Sequence, residues 1–274
     1  MLGDQDRVRR ENRTGRILIQ RARKNLDQSR GTRIQLSLAL RSFLRTRHFE
    51  YALRLTQQYF NKFNVIDFGC ADGPLLPSLA KYFNYVIGID TEPDFIELAS
   101  RVVDSSGLKK VILICNKNLT ADELKFKLRD YKFEILFLLE TIEHIGDRND
   151  LWHSKIKFIN ELFTLLEQDG IIVVSVPKMV GIPFLLQRIG LFTLNSEREN
   201  ISFDNLIRSS VFKDTTSLEK NWQSWQMGKI GHLGFNHLKL ERLLEKEFNI
   251  IKKKDIFSQI IYVMQKKLRY RSSR

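Results

Sequence analysis

From residue 60 onward, short apolar runs alternate with stretches of helical spacing. The runs are NVIDF (64–68), YVIGI (85–89), KVILI (110–114), EILFLL (134–139) and GIIVVSV (170–176). Each is too short for a helix and apolar at nearly every position, the pattern of a strand buried on both faces, which predicts a parallel sheet flanked by helices. Helical spacing falls between them, over 74–82, 93–104, 121–130 and 150–167. Ahead of the first run, Leu36, Leu40, Phe43, Leu44, Leu53, Leu55 and Phe60 recur at helical intervals and predict one or two amphipathic helices. Near the end, an amphipathic helix over about 237–246 leads into two more apolar runs, FNIIKKKDIF and QIIYVMQKK. The predicted class is α/β: a doubly wound, mostly parallel seven-stranded sheet with an N-terminal helical arm and an insertion after the fifth strand.

The rhythm divides the chain. Residues 1–50 are expected to form a basic arm and helix, and residues 51–274 one domain. Within it, residues 178–231 interrupt the alternation. This insertion opens with the apolar stretch MVGIPFLLQRIGLF, too interrupted by Pro183 and Arg188 to span a bilayer, and later carries Trp222 and Trp225. It leaves the sheet at its carboxyl edge, where such sheets bind ligands. The apolar stretch suits an acyl or prenyl chain or a membrane surface; equally, it can roof the core. The two tryptophans read as packing or as a stacking platform.

Composition narrows the class. The chain has 274 residues and two cysteines, Cys70 and Cys115, which give neither a disulfide framework nor a zinc-ligand spacing. No metal is expected, and the expected location is cytoplasmic, with peripheral contact to a membrane left open. The opening MLGDQDRVRRENR is charged where a secretory signal would be apolar. The net charge of +13 is concentrated at the ends: residues 1–50 hold 13 Lys or Arg against 5 Asp or Glu. Such an arm suits RNA, an anionic membrane surface, or solvent alone.

The chemistry sits at the strand ends. Residues 65–73 read VIDFGCADG, an acid closing the first strand before a turn of small residues that opens into a helix. Small residues let backbone N–H groups approach a ligand. A dinucleotide fingerprint is ruled out by Ala71 and Pro74, and a phosphate loop by the missing Gly-Lys-Ser/Thr. The second strand ends in Asp90, whose carboxylate can accept from both hydroxyls of a ribose. The fourth strand runs into LLETIEHI, and the fifth follows as LLEQDGIIVVSVP.

Taken in order, VIDFGCADG, VIGID, LLETIEHI and LLEQDGIIVVSVP resemble the class I S-adenosylmethionine-dependent methyltransferases over about residues 60–177, and again at HLGFNHLKLERLLEKEF. The resemblance implies the Rossmann-like methyltransferase fold and S-adenosyl-L-methionine as cofactor. It implies that Asp67, Gly69, Cys70, Ala71 and Gly73 hold the methionine part and ribose, Asp90 the ribose diol, and Thr91 a place beside the adenine. Leu139 and Glu140 match positions beneath the sulfonium. Two departures stand out. Ala71 replaces the usual glycine, tolerable if its backbone angles are ordinary. Lys117 stands where relatives have an aspartate on the adenine amine, so Asn116 or Asn118 is expected to take that contact.

Candidate catalytic groups are Glu143 and His144 after the fourth strand and His232 in the returning segment. A base is needed only if the acceptor loses a proton on transfer. His144 serves as a base or merely bonds the loop backbone, and His237 reads as a helix cap. Nucleic-acid amino methyltransferases of this fold carry Asn- or Asp-Pro-Pro-aromatic where this chain has LLETIEH. The resemblance therefore implies transfer to an oxygen, or a nitrogen, of a small molecule, lipid or glycan precursor. An RNA methyltransferase using the basic arm and a non-catalytic cofactor-binding protein are the alternatives; the oligomeric state is open.

Overall fold

The computed structural model describes residues 47–147, 149–193, 201–220, 222 and 232–267. These belong to one compact unit within Phe43–Arg274. The basic arm and most of the predicted first helix lie outside the described residues, as does Trp225. The described chain begins with helix α1 (residues 47–55), which crosses the expected boundary at residue 51 and buries Ala52 and Leu53 in the core.

The five apolar runs form strands β1 (Val65–Phe68), β2 (Val86–Asp90), β3 (Val111–Cys115), β4 (Ile135–Leu139) and β5 (Ile171–Pro177). All pair in parallel. β1, β2, β4 and β5 are buried at every position, as expected, whereas β3, an equally apolar run, is the edge strand and only partly buried, because no strand covers its outer side. β6 (Phe248–Asp255) and β7 (Gln259–Lys266) close a seven-stranded sheet of order β3-β2-β1-β4-β5-β7-β6, with β7 antiparallel to both neighbours. Placing β7 inside explains why its run is buried nearly throughout, whereas β6 alternates and carries Lys252, Lys253 and Lys254 at the sheet edge. Charged edge residues of this kind discourage pairing with another chain.

Helices α2 (Leu76–Tyr82), α3 (Pro93–Ser105), α4 (Ala121–Leu128) and α5 (Leu151–Phe163) make the crossovers. α3 begins with Pro93, whose fixed φ suits a first helical position. α4 begins with a capping box: the Thr120 hydroxyl accepts from the Glu123 N–H, and the Glu123 carboxylate accepts from the Thr120 N–H. Two apolar clusters form the core, one centred on Ile66, Leu136, Leu138 and Ile172, the other on Val65, Ile135, Phe137 and Val173. These are successive residues of the same strands, so the clusters lie on opposite faces of the sheet.

After β5 the chain enters α6 (Ile182–Thr193), then α7 (Phe203–Ile207), a π-helical turn (Arg208–Phe212) and α8 (Thr216–Glu219). Helix α9 (His237–Glu247) returns it to the sheet. Among the described residues no helix is long and apolar enough to cross a membrane. Strand order reverses at β1, flanked by β2 on one side and β4 on the other, so a crevice opens beyond their carboxyl ends.

Candidate active site

The β1–α2 loop wraps over the end of β2. The N–H groups of Gly69 and Cys70 both donate to the Ile89 carbonyl, at 2.8 and 3.0 Å. The Ala71 N–H donates to Asp90 Oδ2 at 2.8 Å, and the Glu92 N–H to Asp90 Oδ1 at 3.0 Å. Asp90 therefore fixes the loop from β2, and each oxygen retains a further lone pair for a ligand. Gly69, Ala71 and Gly73 all have positive φ, at 81°, 47° and 75°. Ala71 thus corrects the expectation that its backbone angles are ordinary. It sits in the left-handed region, which costs an L-residue roughly 1–2 kcal/mol. Gly69 meets a second demand: a Cβ there would lie 2.3 Å from the Thr141 hydroxyl, so β1 and β4 can approach only because that residue has no side chain.

Asp67 is buried at the end of β1, and burial, reinforced by the Asp90 carboxylate, raises its pKa from 3.8 to about 7. A cation brought into this crevice would reverse that shift. The Cys70 thiol is buried and pushed up by the same causes, which makes it inert rather than nucleophilic. On the far side, the Asn116 N–H donates to the Asp90 carbonyl at 3.0 Å, and its side-chain Oδ1 is buried without a partner. Lys117 and Asn118 are exposed. Of Asn116, Lys117 and Asn118, Asn116 alone offers an enclosed acceptor. Thr91 is half-buried beside Cys115, whose Sγ lies 3.8 Å from the Thr91 carbonyl.

At the end of β4, Leu139 is buried and Glu140 turns the chain with φ 52°. The Glu140 N–H donates to the Ser175 hydroxyl and carbonyl, each at 3.1 Å, and the Ser175 hydroxyl donates to Glu140 Oε1 at 3.2 Å. The next residues form a tight 3-10 turn, Ile142–His144. Its fixing point is Lys155, one turn along the buried face of α5 from Leu151 and Ile159, with no side-chain exposure. The Lys155 ammonium donates to the carbonyls of Ile142 (2.8 Å), Glu143 (3.2 Å) and Ile145. Burial pushes Lys155 down to about 7, yet three acceptors at one Nζ use all the N–H bonds that only the protonated form carries. The rings of Trp222 and Phe235 flank the cation at 4.9 and 5.6 Å, and the Trp222 indole N–H donates to the Glu143 carbonyl at 3.2 Å. Trp222 is therefore a buried strut and not an exposed platform.

This turn carries the expected catalytic residues into one cluster. The Glu143 carboxylate is fully buried with neither oxygen hydrogen-bonded, and burial and Glu140 raise its pKa well above the ordinary value. His232 Nδ1 lies 3.8 Å from Glu143 Oε1, and the rings of His144 and His232 are 4.9 Å apart. Burial, then the neighbouring His232 and Lys155, depress His144 to about 3. Burial and then Arg188, on α6, hold His232 below its usual range. Both rings are neutral near pH 7 and able to accept a proton or a Lewis acid. His237 is not the helix cap: Asn236 takes that role, its Oδ1 accepting from the N–H groups of Leu238 and Lys239. Lys155, Thr141, Ser175 and Arg188 were missed as site residues, although a lysine at i+4 from Leu151 on an apolar helix face is a readable signal.

Comparison with known proteins identifies the family and the fold. A family model described as a methyltransferase domain matches residues 60–225, more than half of the chain. The chain is 28% identical over 138 residues to a ubiquinone biosynthesis O-methyltransferase of Glaesserella parasuis, covering 49% of this chain and 53% of that protein. It is 28% identical over 116 residues to its Bartonella quintana counterpart, covering 42% of each. The chain thus spans about half the length of these curated relatives. Among solved structures, it resembles a SAM-dependent methyltransferase from Anabaena variabilis with a TM-score of 0.53 at 15% identity, covering 78% of this chain and 82% of that one. A second, from Clostridium acetobutylicum, gives 0.50 at 13% identity over 93% and 98%. At such identities these two speak for the fold.

Proposed function

The chain belongs to the S-adenosylmethionine-dependent methyltransferases, and on that footing we propose that it methylates a hydroxyl oxygen of a small molecule with an apolar portion, a lipid or a lipid-like precursor. It is an enzyme, and S-adenosylmethionine is its cofactor. The strand-end crevice suits that group: the Gly69 cradle has no side chain, Asp90 keeps acceptor capacity, and Asn116 Oδ1 is a buried acceptor without a donor. Bound there, the cofactor supplies a methyl group on a sulfonium, whose departure leaves a neutral thioether.

In this reading the loop of Asp67, Gly69, Cys70, Ala71 and Gly73 lies along the methionine part and ribose. Asp90 accepts from the ribose diol, Thr91 lies beside the adenine, and Asn116 accepts from its exocyclic amine. Leu139 and Glu140 form the floor near the sulfonium. The protein's main contribution is alignment of donor and acceptor, which can supply many orders of magnitude. The single observation that favours a hydroxyl acceptor is the buried Glu143–His144–His232 cluster at the end of β4, a place for the acceptor proton to be lost. The relatives named ubiquinone biosynthesis O-methyltransferase point the same way.

The outer face of α6 supports the apolar portion. Ile182, Leu186 and Ile189 are exposed at 69%, 47% and 49% and recur at i, i+4 and i+7, while Phe184 and Arg188 turn inward. With the net charge of +13, that stripe favours peripheral contact with an anionic bilayer, from which an apolar acceptor would be drawn.

The test is methyl transfer from radiolabelled S-adenosylmethionine into lipid, small-molecule and RNA fractions scored separately, with Asp90→Ala beside the wild type. Label is expected in the lipid or small-molecule fraction. Asp90→Ala should bind S-adenosylhomocysteine more weakly by about 1.5–3 kcal/mol, the contribution of a hydrogen bond to a charged group. Label confined to RNA refutes the acceptor class, as does cofactor binding with no transfer at all.

A further inference from the structure

The cluster at the end of β4 contains more unused bonding capacity than proton transfer requires. Both Glu143 carboxylate oxygens and His232 Nδ1 are buried without a hydrogen bond. Folded proteins pair nearly all buried polar atoms, so three orphans at one point need an explanation. Glu143 and His232 do not satisfy one another, since 3.8 Å is too long for a hydrogen bond. It is close to the spacing of two ligands on a shared cation: bonds of about 2.0–2.2 Å set neighbouring ligand atoms roughly 3.0–3.5 Å apart.

One donor atom each from Glu143, His144 and His232 lies within 4.8 Å of the others. We infer that these three residues form a binding site for a divalent transition-metal cation, with coordination positions left for the oxygen of an acceptor. The donor set decides the class of ion. Two imidazoles and one carboxylate suit Mn²⁺, Fe²⁺, Co²⁺ or Zn²⁺, whereas Mg²⁺ and Ca²⁺ prefer oxygen alone.

The scaffold is built for such a task. Two of the three ligands are consecutive residues on the turn that Lys155 and Trp222 hold from below through its carbonyls, so their directions are set by the main chain. The third arrives from the segment entering α9. Among the described residues, the charged groups facing the cluster are Glu140, Arg188 and Lys155. Glu140 adds negative charge; Arg188, from α6, and Lys155, from α5, oppose the ion. The Lys155 ammonium, however, is occupied by the carbonyls of Ile142, Glu143 and Ile145. A cation here would give the buried Glu143 carboxylate the counter-charge it lacks, and would lower the pKa of a coordinated hydroxyl so that its proton passes to water.

This inference rests on the hydroxyl-acceptor reading for its use, but not for its test. The full-length protein is stripped with chelator and titrated with Co²⁺, followed by its visible d–d absorption, and with Mn²⁺ and Zn²⁺ by calorimetry. One saturable equivalent is expected, with a rise in Tm. Glu143→Gln and His232→Ala should each weaken binding by at least roughly 10–100-fold, the loss seen even for residues that only support a ligand. Because glutamine keeps the size of Glu143 and never requires a counter-charge in this buried site, Glu143→Gln should fold at least as stably as the stripped wild type; His232→Ala gives the same reading should it not. Absence of saturable binding below about 1 mM, which corresponds to only −4.1 kcal/mol, overturns the inference. Binding that both variants retain also overturns it. Methyl transfer undiminished in excess chelator would count against the metal alone, whereas metal bound at this site without transfer to any hydroxyl would count against the proposed function alone.

Discussion

Lys155→Met isolates the support of the Ile142–His144 turn. The ammonium makes three charge-assisted bonds, each worth about 1.5–3 kcal/mol, against a desolvation cost of several kcal/mol, so the intact arrangement is close to neutral. Truncation is not. The Glu143 carbonyl keeps the Trp222 indole N–H, and the Ile142 carbonyl keeps the Ile145 N–H at 3.3 Å. The Ile145 carbonyl keeps no other partner among the described residues. One stranded buried carbonyl costs about 1–3 kcal/mol, and the weakened pairing of the other two brings the expected loss to about 3 kcal/mol. Urea unfolding followed by tryptophan fluorescence should show the midpoint fall with an unchanged slope. Trp222→Phe removes the second support of the same turn, so the double variant should deviate from additivity by at least about 0.5 kcal/mol. Methyl transfer should fall with the turn, while S-adenosylhomocysteine affinity, set on the other side of the crevice, holds. A loss below about 1 kcal/mol with unchanged turnover would show that the carbonyls find other partners and that Lys155 does not hold the turn.

Ala71→Gly should relieve the left-handed strain at φ 47°; after the glycine's larger unfolded-state entropy is subtracted, a gain of roughly 0.5–1 kcal/mol remains, and a lower Tm in calorimetry would contradict it. Asp67, raised from 3.8 to about 7, carries a proton in the folded protein that the unfolded chain has already lost over that window. Stability without cofactor should therefore fall as pH rises from about 4 to about 7 and level off above, and Asp67→Asn should flatten that part of a Tm-against-pH curve. Affinity for the cationic cofactor should strengthen over the same rise in pH, and calorimetry at pH 6 and 8 checks the sign.

The amino-acid sequence determined the α/β class, the five parallel strands to within a residue or two, and the tight loop that follows β1. These are local properties: a short run apolar at nearly every position suits a strand covered on both faces, and small residues after an acid at a strand end mark a tight strand–helix turn. The seven strands were equally legible, but their order was not, because FNIIKKKDIF and QIIYVMQKK do not say which one lies inside. Tertiary pairing put QIIYVMQKK beside β5 and left the three lysines at the edge. The same holds for the site. Glu143, His144 and His232 could be named as candidates, yet only folding brought His232 from the far end of the insertion to within 3.8 Å of Glu143. Lys155 is one of several charges on its helix in the sequence, and only its burial beneath the 142–145 turn makes it a clamp. Ala71 was visible as a departure, but its strain belongs to φ, which is set by the Asp90 carboxylate drawing in its N–H from another strand. Periodicity reports what each segment buries; which distant side chains meet is decided by the packing of those segments against one another.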